Sequence, residues 1–192
     1  MIDVVFDLEG SVVPEYYPYP LWDALVSTLP LINQQNVGVH PLRGSVSGRE
    51  FLLAKRSKLI LRVAEADVNH LTGLSGSELK IGEHVLRVGM GRERELQAAN
   101  TLHAWLVQGG GDEIQFMEDM RSQLDAAGVD GKLICDKRRV INDGHQSVEG
   151  YGLVLHDLKP QVSMQIQQTG LGGARHLGCG IFVPFKAITG LE

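Results

Sequence analysis

The sequence has little cysteine and no long apolar run. Its two cysteines, Cys135 and Cys179, stand apart with no CxxC spacing. That excludes a disulfide framework and a cysteine-based zinc motif, and it fits a reducing compartment. No apolar stretch approaches the roughly 20 residues a membrane-spanning helix needs. The N-terminal MIDVVFDLEG lacks the basic segment and apolar core of a signal peptide. These absences point to a cytoplasmic protein. Excess positive charge is lacking too. The formal net charge is −5, so the whole molecule is no magnet for nucleic acid. Both common nucleotide fingerprints are missing. There is no GxxxxGK[ST], and GLGGAR puts Arg175 where the third glycine of GxGxxG belongs. No set of His, Cys, Asp and Glu has metal-ligand spacing. We therefore expect neither a metal nor a cofactor.

What is present is unevenly distributed. Arg43, Arg49, Lys55, Arg56, Lys58 and Arg62 lie close together, opposed only by Glu50. A second cluster holds Lys132, Lys137, Arg138 and Arg139, opposed by Asp136. Such runs are ordinarily solvated faces. Two of them, on either side of the chain's middle, also suit a polyanion. Glycine is abundant at 23 residues. The stretch TGLGGARHLGCGIFVPFK at 169–186 holds Gly170, Gly172, Gly173, Gly178 and Gly180 beside Arg175 and His176. A helix stop and a turn require one or two glycines. The rest suit a loop whose backbone N–H groups approach an anion or lie flat on a bulky ligand.

Periodicity orders the chain. Val4, Phe6 and Leu8 alternate, which predicts a strand over residues 3–8. Leu21, Leu25 and Leu29 recur at helical spacing, which predicts a helix over about 20–32. Strands are expected at 36–42, 50–53 and 58–63, a short helix at 66–74, and a strand or hairpin around Gly82 at 79–88. The order then repeats. A strand at 101–108 is followed by a helix capped by Asp112, carrying Phe116, Met120 and Leu124 and stopped at Gly128. Strands follow at 132–141 and 150–156, then a helical stripe of Leu158, Val162 and Ile166, and a last strand at 180–184. Each half approximates βαββαβ. The expected fold is α+β: two tandem ferredoxin-like units with antiparallel sheets, at 1–94 and 95–192, the second carrying the glycine-rich loop 170–180.

At this point the sequence resembles a known family. GLGG-x-R-x-x-GCG-I-F-V-P-x-K is similar to the C-terminal glycine-rich motif of the CRISPR-associated repeat-RNA endoribonucleases of the RAMP superfamily. The likeness extends to VGVHPLRG at 37–44, KRSKLILRV at 55–63, IGEHVLRVG at 81–89 and GYGLVLHDLKPQ at 150–161. This ordered set resembles the Myxan-type branch. The resemblance implies a RAMP-like protein that binds the repeat stem-loop of precursor CRISPR RNA and cuts it without metal. The ribose 2′-OH attacks the adjacent phosphate, leaving a 2′,3′-cyclic phosphate and a 5′-OH. It also implies partners, the subunits of a Cascade-type effector complex, within which the protein keeps the 3′ hairpin.

That chemistry needs a proton acceptor, a proton donor and cations to hold phosphate charge. The family commonly has a catalytic histidine near the first helix, and here the sequence departs. A Pro-x-Asp-His-x-Tyr stretch becomes Pro14-Glu15-Tyr16-Tyr17-Pro18-Tyr19, so Tyr17 falls on the histidine position. Asn33 replaces a second histidine after the helix. The catalytic candidates are then His40, beside the first basic cluster, and Tyr17. His40 is equally readable as a packing residue of HPLRG. The RNA-binding candidates are Lys55, Arg56, Arg62, Lys137, Arg138, Arg139, Gly172, Gly173, Arg175 and Lys186. Two other readings stand beside this one. One is a repeat-hairpin-binding subunit with weak or no catalysis; the other is a tandem ferredoxin-like ligand-binding or oligomerising domain with no RNA role.

Overall fold

The computed structural model describes residues 1–34 and 36–185. Among these the chain forms two compact units.

The first unit comprises Met1–Glu95 together with Ile141–Gln146 and His176–Gly178. Its centre is β1 (Ile2–Glu9), whose Val4 and Phe6 point into the core. After β2 (Val12–Pro14) comes α1 (Pro18–Thr28), with Pro18 in the first turn, where a missing N–H costs nothing. Leu21 and Leu25 are its buried stripe. The helix stops short of residue 32 because Pro30 disfavours helical backbone at Leu29, and Pro30–Gln34 continues as a 3-10 turn. Then follow β3 (Gly38–Val39), β4 (Gly44–Ser47), β5 (Glu50–Leu53) and β6 (Lys58–Val63). The helix expected over 66–74 is a 3-10 stretch, Glu65–Leu74. Asn69, Thr72 and Gly73 are weak helix formers, and the Thr72 hydroxyl donates to the Asn69 carbonyl instead. A hairpin, β7 (Glu78–Ile81) and β8 (His84–Arg94), turns at Gly82.

The main sheet runs β3-β6-β1-β8-β7, and β2-β5-β4 form a small second sheet. The β3-β6-β1-β8 order is that of a ferredoxin-like βαββαβ unit, with β7 added at the edge. One face of this sheet packs on Leu21, Leu25, Leu71 and Leu74. The pleat sends Asp3, Val5 and Asp7 to the other face.

In the second unit, β9 (Leu102–Gln108) leads to α2 (Glu113–Ala126). The Asp112 carboxylate caps α2, accepting from the Gln115 N–H at 3.0 Å. Phe116, Met120 and Leu124 are buried, as their spacing predicts. The antiparallel pair β10 (Lys132–Asn142) and β11 (Ser147–His156) follows, then α3 (Pro160–Thr169) and β12 (Phe182–Pro184). The sheet order β10-β11-β9-β12 is again ferredoxin-like. Leu153 and Leu155 face the helices, and on the opposite face of β11 Val154 is half-buried while Gly152 is covered by Arg139 and Asp136.

Candidate functional site

On the polar face of the first sheet, strand register sets Asp3 between Arg62 of β6 and Arg94 of β8. Arg62 Nε donates to Asp3 Oδ1 at 2.7 Å, and Arg94 Nη2 reaches Oδ2 at 3.0 Å. His40 Nε2 stands 3.2 Å from the same Oδ1. Burial pushes the Asp3 carboxyl up, but the hydrogen bonds from His40 and Arg62 and the Arg62 charge outweigh it. The group is held well below the ordinary carboxylate range. Burial dominates at His40 and lowers its pKa, although Asp3 opposes the shift. The imidazole is therefore neutral near pH 7 and serves Asp3 as an N–H donor.

This geometry corrects one reading from sequence. Arg62 is 1% exposed and its guanidinium is spent on Asp3, so it has no face to offer RNA. The basic run alternates along β6, and the pleat turns Arg62 toward the sheet's own carboxylate. His40 is likewise buried, at 7% exposed, with its Nε2 committed to Asp3. That contact suits a residue that positions the polar network.

Tyr17 precedes α1 and is buried against Phe51, with ring centroids 4.9 Å apart. Its hydroxyl accepts from the Leu42 N–H at 3.0 Å. Burial pushes the phenol up to about 12, and it stays protonated at neutral pH. The tyrosine thus ties the start of α1 to the HPLR stretch.

The glycine-rich loop closes on itself. Gly170 ends α3 with φ +67°. A Cβ on Gly170 would collide with the Gly180 carbonyl and with Arg175 Nη1. The three guanidinium nitrogens of Arg175 are shielded from solvent. Arg175 therefore braces the loop from within, which corrects its assignment to an RNA backbone. Gly172 and Gly173 are exposed, beside Gln108.

The next residue in the loop is His176. It is half-buried, and its ring lies 5.1 Å from that of Trp22 on α1. Burial lowers its pKa, leaving a neutral imidazole near pH 7. The sequence gives no sign of this contact, because over a hundred residues separate His176 from α1 and no periodicity carries a contact of that range.

Of the remaining RNA candidates, Lys55 and Arg56 are exposed in the turn between β5 and β6. Lys137 and Arg138 are exposed on β10, Arg138 paired with Glu149. Arg139 is half-buried, held by Asp136 at 2.9 Å and lying over the Trp105 ring. Lys186 lies outside the described residues. Among the described residues, no group of three or more His, Cys, Asp or Glu is arranged to hold a metal ion. No helix among them is long and apolar enough to cross a membrane.

Comparison with known proteins bears on these features together. The family model described as Cas6 Crispr matches residues 2–187. The CRISPR-associated endonuclease Cas6 of Myxococcus xanthus (strain DK1622) is 33% identical over 186 residues, covering 95% of this chain and 81% of that protein. Among solved structures, a protein described as binding different RNA substrates, of the RAMP class, aligns with TM-score 0.70 at 13% identity, over 97% of this chain and 100% of its own. A CRISPR-associated Cas6 protein aligns with TM-score 0.68 at 13% identity, over 96% and 99%. At that identity these structures speak for the tandem ferredoxin-like fold alone. The family match and the Myxococcus relative go further, and the chain belongs to the Cas6 family of CRISPR-associated endoribonucleases.

Proposed function

We propose that the protein matures CRISPR RNA by binding the repeat stem-loop of the precursor and cutting it by 2′-OH attack. The products are a 2′,3′-cyclic phosphate and a 5′-OH. The observation that carries this reading is the family match over residues 2–187, with 33% identity to a CRISPR-associated endonuclease.

Within it, His176 takes the proton. The family resemblance calls for a histidine near the first helix. In this chain the His176 ring packs on α1 through Trp22. A neutral imidazole can accept the 2′-OH proton as the oxygen attacks phosphorus. His40 acts as a positioning residue: through Asp3 it fixes Arg62 and Arg94. Lys55, Arg56, Lys137 and Arg138 supply cations for the RNA backbone, and exposed Gly172 and Gly173 allow it close approach. No metal takes part. After cleavage the protein stays on the 3′ hairpin as a subunit of a Cascade-type complex.

The test is cleavage of repeat RNA in excess EDTA with mapping of the product ends. Cyclic phosphate on the 5′ fragment is expected. Hydrolysis that requires added magnesium, or that leaves a 5′-phosphate, would reject the mechanism. Tight binding without cleavage would leave a hairpin-capping subunit.

A further inference from the structure

The second unit carries a group of rings to which the proposed cleavage assigns no role. On β9, His103 and Trp105 are two residues apart and point to the open face of the sheet, away from α2 and α3. Trp105 is 37% exposed. Phe185, just past β12, is 45% exposed, and its ring lies 5.3 Å from His103. Single exposed apolar residues are ordinary. Three rings side by side on one sheet face, with a guanidinium laid over the largest, are a specific arrangement.

The guanidinium is Arg139. It starts on β10, at the sheet's edge, and must pass β11 to reach Trp105 on β9. Gly152 of β11 gives it passage. A Cβ there would strike Arg139 Nη1 and approach Asp136 Oδ2 to 2.8 Å. Arg139 Nη2 donates to Asp136 at 2.9 Å and Nη1 to the Lys137 carbonyl at 3.0 Å. The Arg139 Cζ then sits 5.4 Å from the Trp105 ring centroid. His103 Nε2 is 3.8 Å from the same carboxylate of Asp136. The cation and the rings are thus held in place before any ligand arrives.

We propose that this face is a stacking platform for an unpaired nucleotide of single-stranded RNA, with Trp105 and Arg139 as its centre and the His103–Phe185 pair beside it. Unpaired bases stack on aromatic rings and on guanidinium planes, and every base has a π-face to offer. On the edge strand β10, exposed Lys137, with Arg138 beside it paired to Glu149, favours a polyanion over an apolar peptide. This inference rests on the RNA-processing reading and adds to it. The platform takes single-stranded sequence, whereas the cleaved element is the stem-loop.

The probe is hexaadenylate, compared with a hexamer of the same backbone bearing abasic sites. The chain has two tryptophans, so Trp22→Phe leaves Trp105 as sole reporter. Hexaadenylate should quench its emission at a concentration at least tenfold below that of the abasic oligomer. In the otherwise native chain, Trp105→Ala should weaken labelled hexaadenylate about tenfold, while Trp105→Phe, which keeps a ring, should lose much less. Phe185→Ala gives a second variant at a less buried position. Equal affinity for the two oligomers, or an unchanged Trp105→Ala variant, would overturn the proposal. So would RNA-free self-association, seen by sedimentation, that Trp105→Ala abolishes. Repeat RNA cut normally by a protein that ignores hexaadenylate would sink the platform alone. Failure to bind the repeat hairpin would sink the underlying reading.

Discussion

Asp3 on β1 and Arg62 on β6 are cross-strand partners, and the guanidinium Nε donates to the carboxylate at 2.7 Å with both side chains almost wholly buried. A pair of this kind stabilises little relative to apolar packing, but removing one member strands the other charge. Arg62→Met should therefore cost about 3–5 kcal/mol of stability in urea unfolding. Asp3→Asn in the same background should recover part of that loss. A cost under about 1 kcal/mol would mean the network relaxes into water, as exposed pairs do.

The same network sets a pH dependence. Both Asp3 and His40 have folded-state values below their ordinary ones. Each binds fewer protons folded than unfolded, so each contributes stability that is lost as pH falls. The His40 contribution is full above about pH 6.5 and declines below it; the Asp3 contribution declines below about pH 4. His40→Gln, which keeps a side-chain N–H donor, should flatten the loss between pH 6.5 and 5. An unaltered profile in that variant would assign the loss elsewhere.

His176→Ala should lower single-turnover cleavage by about 10²–10⁴-fold with little change in repeat affinity. The wild-type rate should fall as pH drops through the depressed His176 value. In His40→Gln, cleavage should persist within about tenfold of wild type, because the base is elsewhere. The reverse ranking would return the base to His40.

Affinity for repeat RNA should fall steeply with salt, as phosphate contacts release counterions. Lys55→Gln and Arg56→Gln should each reduce the slope of log affinity against log salt by about one. Arg175→Gln should destabilise the glycine-rich loop and leave that slope unchanged, because its guanidinium is enclosed.

Gly152→Val should displace Arg139 from Trp105. The expected result is weaker hexaadenylate binding with repeat cleavage intact, measured on the same preparation. Unchanged hexaadenylate binding would remove Arg139 from the platform.

Much of the fold is legible in local pattern. Alternation in residues 3–8 and the four-residue spacing of Phe116, Met120 and Leu124 are consequences of strand and helix geometry, and both elements stand where the spacing predicts. The Glu65–Leu74 stretch reads as a helix on apolar spacing alone, but its polar side chains and Gly73 tip it to 3-10. The candidate site is less legible. Charge type identifies Arg62 and Arg175 as cations without saying that one is spent on Asp3 and the other braces a loop. The packing of His176 on Trp22 and the passage of Arg139 over Gly152 arise only when distant segments meet.

The central claim, cleavage by the ribose 2′-OH, turns on one oxygen atom. Repeat RNA carrying a single 2′-deoxy nucleotide at the scissile position should bind with native affinity in EDTA and remain uncut, while the all-ribose repeat is cleaved to a 2′,3′-cyclic phosphate. Cleavage of the deoxy substrate at the native rate would contradict the account.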